Sequence, residues 1–133
     1  MKNKILLIED DAPTIDLYKL NLEKAGFNLE IIKWGKDAME RIGNMELKGE
    51  QKPDLILLDI ILPDINGIEI LKEIKSKKAT NSIPVLILTN YSDLKMEEAS
   101  SALNAEGYLL KTNHTPKEII FAIKKILRKK VKK

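Results

Sequence analysis

Two short segments admit very few structural solutions. Leu55 to Leu58 and Val85 to Leu88 are apolar at every position. A strand with one wet face alternates polar and apolar residues. A run without alternation suits a strand covered on both faces, as in a parallel sheet between helical layers. Pro53 and Pro84 sit just ahead of the two runs, where a proline marks the entry to a strand.

The rest of the chain repeats the pattern. "KILLI" (Lys4 to Ile8) predicts a first buried strand. Pro13 to Ala25 then sets Ile15, Tyr18, Leu22 and Ala25 on one helical face, and Gly26 ends that helix. "NLEIIKW" predicts strand two, and Gly35 to about Leu47 a helix with Ala38, Met39 and Ile42 inward. "DLILLD" is strand three. Asn66 and Glu69 match a capping box that opens a helix burying Ile70, Leu71 and Ile74. "PVLILT" is strand four, and Ser92 or Asp93 caps a helix carrying Met96, Ala99 and Leu103. "EGYLLK" is strand five. Thr115, Pro116 and Glu118 start a last helix with an apolar stripe from Ile119 to Leu127. Five βα units in succession predict an α/β fold, a doubly wound parallel sheet with helices on both faces.

A length of 133 residues suits one domain with one core. The absence of cysteine excludes disulfides, thiolate metal sites and cysteine nucleophiles. No apolar stretch reaches membrane-spanning length, and the first residues lack the form of a secretory signal, so a cytoplasmic location is the default expectation. The formal charge of +3 is local. The final six residues, "RKKVKK", hold five cations, and without them 18 basic residues face 20 acidic ones. The expected division is a domain over 1–127 and a basic tail over 128–133. The tail reads as a solvated helix end rather than a nucleic-acid or lipid contact.

Ligands of an open α/β sheet bind outside the C-terminal strand ends, at the point where the strand order reverses. Strand one ends in Glu9, Asp10 and Asp11, strand three in Asp59, strand four in Thr89 and strand five in Lys111. Clustered carboxylates repel, so a cation is needed to hold them together. Mg²⁺, a hard ion that takes oxygen ligands, is the natural candidate, with Glu9, Asp10 and Asp59 as carboxylate ligands and a loop carbonyl beyond Asp59 as a further one; Mn²⁺ is a possible substitute. One histidine and no cysteine leave nothing suited to Zn²⁺. The set is equipped for phosphoryl transfer. Asp59 attacks phosphorus, Thr89 donates a hydrogen bond to an equatorial oxygen, and Lys111 offsets charge. Asp11 alone reads as a turn or helix cap.

The stretches "ILLIEDD", "PDLILLDIILPDINGIEIL", "IPVLILTN" and "GYLLK", in this order, resemble the receiver domain of a two-component response regulator. The resemblance spans Lys4 to Leu127. It implies a flavodoxin-like fold with strand order 2-1-3-4-5. It implies Glu9 and Asp10 as metal-binding acids, Asp59 as phosphoacceptor and Ile61 as a backbone-carbonyl ligand. Thr89 would be the switch hydroxyl, Tyr108 the switch aromatic and Lys111 the phosphate-contacting lysine. The donor would be a histidine kinase or histidine phosphotransfer protein. The output surface would be the face of the fourth helix, fifth strand and fifth helix, used for a downstream protein or a homodimer formed on phosphorylation. Such a domain is a signalling switch that catalyses only its own phosphorylation and dephosphorylation.

Two positions depart from the family pattern. Thr112 follows the lysine where proline is usual, which predicts a trans peptide there, and Asn90 follows Thr89 where a small residue is usual. Two rivals remain. An aspartyl phosphatase of the haloacid-dehalogenase type would need an acid/base two positions after its nucleophile, and Ile61 has no such group. A degenerate receiver that binds partners without phosphorylation would not need all five of Glu9, Asp10, Asp59, Thr89 and Lys111. His114 reads as a surface loop residue, and Trp34 as packing or half-exposed surface.

Overall fold

A computed structural model describes residues 2–131. Five parallel strands form one sheet: β1 (Lys4–Ile8), β2 (Asn28–Ile32), β3 (Leu55–Leu58), β4 (Val85–Thr89) and β5 (Gly107–Leu110). Their order is β2-β1-β3-β4-β5. Five helices connect or follow them: α1 (Ala12–Lys24), α2 (Gly35–Asn44), α3 (Gly67–Ser76), α4 (Leu94–Ala102) and α5 (Pro116–Val131). This is the flavodoxin-like order expected from the resemblance.

Strand parity sorts the core into two layers. Leu6, Ile8, Ile56, Leu58, Val85 and Ile87 face α2 and α3, burying Ala38, Ile42, Ile70, Leu71 and Ile74 against them. Ile5, Leu7, Leu55, Leu57, Leu86 and Leu88 face α1 and α5, covering Tyr18, Leu22, Ile119 and Ile123. β3 and β4 are buried at every residue, which is why their sequences lack alternation. β2 and β5 lie at the sheet margins and are half-buried.

The caps refine the expected boundaries. Asp11 starts α1 by accepting the Thr14 N–H at 3.1 Å, and Gly26 follows the helix at φ +96°, a conformation that favours glycine. Asp93 rather than Ser92 caps α4, accepting the Met96 N–H at 3.0 Å. Thr115 and Glu118 close a reciprocal capping box on α5. The box expected at α3 does not close. Asn66 accepts the Ile68 N–H at 2.9 Å, but the Glu69 carboxylate turns to Lys72. An exposed glutamate has an i,i+3 lysine within reach there, and the two contacts compete for one carboxylate. α4 buries only Ser100 fully, with Met96, Ala99 and Leu103 half-buried. α5 continues through Arg128 to Val131 as an unbroken helix, and Lys132 and Lys133 of the basic tail lie outside the described residues.

Glu30 on β2 joins three elements. Arg41 of α2 donates to it at 2.9 and 3.3 Å, and Lys4 of β1 lies 3.1 Å away. Burial would raise the Glu30 pKa, but the Arg41 and Lys4 contacts outweigh it and hold the carboxyl below its ordinary 4.5. A depressed folded-state pKa contributes stability above 4.5 that disappears as pH falls through the folded value. Glu30→Gln is therefore expected to cost about 1 kcal/mol at pH 7. In urea titrations the gap between variant and natural chain should close in acid below the ordinary glutamate pKa. A gap that persists there would show that packing, not charge, is what the variant loses.

Candidate functional site

The strand order reverses between β1 and β3, so their C-terminal ends flank the crevice of the sheet. Main-chain bonds carry the ladder one residue past each strand. The Glu9 N–H donates to the Ile32 carbonyl at 3.0 Å, and the Asp59 N–H to the Ile8 carbonyl at 3.1 Å. Two acids are thereby fixed side by side at the top of the most buried part of the fold. Glu9 is 2% exposed and Asp59 6%.

Lys111 closes the arrangement from across the sheet. It opens a single 3₁₀ turn, Lys111–Asn113, after β5. Its ammonium donates to Glu9 Oε1 and to Asp59 Oδ2, the latter at 2.8 Å. The remaining oxygens are also held: Glu9 Oε2 accepts the Asp11 N–H at 3.1 Å, and Asp59 Oδ1 accepts the Ile61 N–H at 2.9 Å. Asp10 is exposed, and one carboxylate oxygen from each of Glu9, Asp10 and Asp59 lies within 4.8 Å of the others. All-oxygen donors, two of them buried and one open to solvent, suit a hard divalent cation that keeps part of its water shell.

Burial pushes the Glu9 pKa up, aided by the Asp59 charge and opposed by Lys111. Burial would lower the Lys111 pKa, but its bonds to Asp59 and Glu9 outweigh that and raise it. Removing the ammonium therefore leaves two buried carboxylates facing each other. Lys111→Met is expected to lower stability in EDTA at pH 7 by about 3 kcal/mol, the loss typical of a buried ion pair stripped of one partner. Part of that loss should return on mild acidification, because a carboxyl with a raised folded-state pKa gains stability when it takes up a proton. Urea denaturation at two pH values reads both effects; no loss at pH 7 would mean that water already screens the pair.

The cleft above these groups has a volume of about 500 Å³ and is lined by Glu9, Asp10, Asp11, Thr14, Asp59, Ile61, Leu62, Pro63, Asn90, Tyr91 and Lys111. Four of the expected site residues, Glu9, Asp10, Asp59 and Lys111, meet there, with Ile61 at its rim. Thr89 is fully buried and not part of the lining. Its Oγ1 accepts the Tyr91 N–H at 3.2 Å. Tyr108 lies further along, half-buried against the α3 and α4 side of the core, and its hydroxyl donates to the Tyr91 carbonyl at 2.5 Å. Burial, with the nearby charges of Asp93 and Glu97, pushes the Tyr108 pKa up to about 12.

Tyr91 links the hydroxyl to the aromatic and has no counterpart among the sequence-derived candidates. It sits in a loop, where periodicity carries no signal, and the Tyr108 contact spans 17 residues. Asp64 is a second such residue. Its carboxylate accepts the Gly35 and Lys36 N–H groups, both at 2.8 Å, which holds its own pKa below the usual carboxylate range. The Lys111–Thr112 peptide is trans, as expected without proline. His114 is half-exposed at the end of the 3₁₀ turn, and Trp34, at the N-cap of α2, is 53% exposed.

Comparison with known proteins settles the family. A family model for the response regulator receiver domain matches residues 5–124. This chain belongs to that family. The receiver domain is 31% identical over 129 residues to the alkaline phosphatase synthesis transcriptional regulatory protein PhoP of Bacillus subtilis (strain 168), covering 97% of this chain and 50% of that relative. It therefore spans about half the length of that curated relative. Among solved structures it is similar to a CheY-like receiver domain protein from Methanospirillum hungatei JF-1, at 29% identity and a TM-score of 0.84, over 99% of this chain and 98% of the other. It is also similar to the Mn(2+)-bound form of response regulator Rcp1, at 31% identity and a TM-score of 0.78, over 90% and 88% of the two chains. The receiver domain is a signalling domain of two-component phosphorelay systems. No helix among the described residues is long and apolar enough to cross a membrane.

Proposed function

We propose that this receiver domain takes a phosphoryl group on Asp59 from the phosphohistidine of a histidine kinase or histidine phosphotransfer protein. One observation carries the proposal: the Lys111 ammonium is bonded to both Glu9 and Asp59, with the Asp10 carboxylate beside them, at the mouth of the sheet. The buried Asp59 carboxylate, its Oδ1 held by the Ile61 N–H and its Oδ2 by Lys111, is fixed at the cleft before any donor arrives. In the transfer, an Asp59 Oδ atom forms the new P–O bond as the P–N bond of the donor breaks. The imidazole leaves with the electron pair, and an acyl phosphate remains on Asp59. Lys111 stays within reach of the incoming charge.

Glu9, Asp10 and Asp59, with the Ile61 carbonyl, would hold Mg²⁺, or Mn²⁺ in its place; the solved Mn(2+)-bound relative supports that choice. When bound, the ion neutralises negative charge on the phosphoryl oxygens. Thr89 would turn its hydroxyl from the Tyr91 N–H to the phosphoryl group, and the shared loop would carry that change to Tyr108. The face made by α4, β5 and α5 is then the surface that a downstream protein, or a second copy, reads. α4 is suited to such movement, since it buries little. A cytoplasmic location fits this role.

The test is covalent. The chain is treated with acetyl phosphate and Mg²⁺, and its intact mass is recorded. One added phosphate is expected, and borohydride trapping followed by peptide mapping should place it at Asp59. No added phosphate, or a phosphate mapped elsewhere, would overturn the assignment. Because acyl phosphates can be short-lived, a beryllofluoride-induced change in the Trp34 or tyrosine spectrum provides a second reading.

A further inference from the structure

The loop that follows Asp59 is closed at its base and fastened at its tip. At the base, Ile61 and Asn66 form an antiparallel bridge, and the Gly67 N–H donates to the Ile60 carbonyl at 2.9 Å. At the tip, Asp64 crosses to a different element. Its two oxygens accept the first two N–H groups of α2, from Gly35 and Lys36, each at 2.8 Å. The residue in the N-cap position, Trp34, makes no side-chain cap. α2 thus draws its cap from a residue 29 positions away, and the contact works in both directions. The packing is close: a Cβ on Gly35 would lie 2.9 Å from Ile65 Cβ and 3.0 Å from Asp64 Oδ1.

We infer that Asp64 is a positioning residue for the metal site, pinning the 61–66 loop against α2 so that the Ile61 main chain is held at the rim of the acid cleft. The inference rests on the proposed binding of a divalent cation by Glu9, Asp10, Asp59 and the Ile61 carbonyl. Asp64 is not among the cleft-lining residues, so it acts only through the loop. A loop free to move must be ordered when it donates a ligand, and that ordering weakens binding; a loop already closed at its base and fastened at its tip avoids most of that cost.

Mg²⁺ binding is measured by titration calorimetry on the full chain, with urea denaturation alongside. Asp64→Ala is expected to weaken Mg²⁺ affinity by about 10-fold, the low end of the loss seen when a ligand's support is removed. Asp64→Asn, which keeps one acceptor oxygen, should fall between Asp64→Ala and the natural chain. Gly35→Ala approaches the same contact from the other side. Alanine is the better helix former, so helix propensity alone predicts no loss. Its Cβ, however, pushes against Ile65 and Asp64, and Mg²⁺ affinity should drop while α2 persists. Retention of the natural affinity by Asp64→Ala and Gly35→Ala, whatever their urea midpoints, would overturn the positioning role. A natural chain that takes up no Mg²⁺ at all would instead remove the metal reading itself, an outcome distinct from loss confined to the variants.

Discussion

Asp59→Asn is expected to take up no phosphate from acetyl phosphate under conditions where the natural chain gains one group. The amide has nearly the shape of the carboxylate, and its oxygen can still accept the Ile61 N–H that now bonds Asp59 Oδ1 at 2.9 Å. It lacks an anionic oxygen to attack phosphorus. Lys111 keeps Glu9 as partner. The variant should remain folded, because the lost bond to the buried ammonium is offset in part by removing one of two buried like charges. Intact mass reads the phosphate, and a urea transition recorded on the same sample separates lost chemistry from lost structure. Uptake of a full equivalent by the folded variant would move the nucleophile to another residue.

Gly67→Ala should be the most damaging conservative substitution at the site. The glycine's φ is not the reason. Its Cβ would lie 2.4 Å from Ile60 Cα and 2.6 Å from the Asp59 carbonyl oxygen, both main-chain atoms that cannot rotate away. Either α3 withdraws from β3 or the segment after Asp59 shifts. Overpacking of this kind costs about 3 kcal/mol. The second consequence is chemical: a displacement of ~1 Å at Asp59 is expected to slow phosphate uptake roughly 100-fold. Urea titration and the rate of uptake from acetyl phosphate measure the two parts. Natural values for both would show that the start of α3 yields without disturbing the strand.

Much of this geometry can be read from the chain, for an identifiable reason. Runs such as Leu55 to Leu58 satisfy only a strand covered on both sides, and five strands in alternation with helices leave few topologies. Once the strand ends are known, Glu9, Asp10, Asp59 and Lys111 fall on one edge without any local motif. Asp11, Asp93 and the Thr115–Glu118 pair are legible because capping is a contact within a few residues. Glu69 misleads because two local partners compete for it. Asp64 and Tyr91 lie beyond such reading. Their contacts reach α2 and β5 across 29 and 17 residues, and nothing in a loop's own composition says where its tip will rest. Thr89 is placed correctly at its strand end, but its rotamer, toward the Tyr91 N–H rather than the cleft, is set by a loop that strand periodicity does not describe.

The opposed charges at the cleft are carried by strands of unequal permanence. Asp59 follows β3, walled in on every side, whereas Lys111 follows β5, a border strand with a single neighbour and every residue half open to water. Brief detachment of that border would carry the ammonium off while the acids stay put. Amide exchange should accordingly be faster along Gly107–Leu110 than along Leu55–Leu58. If exchange follows that order, the counter-charge of the acidic cleft would act as a hinged latch rather than a fixed post.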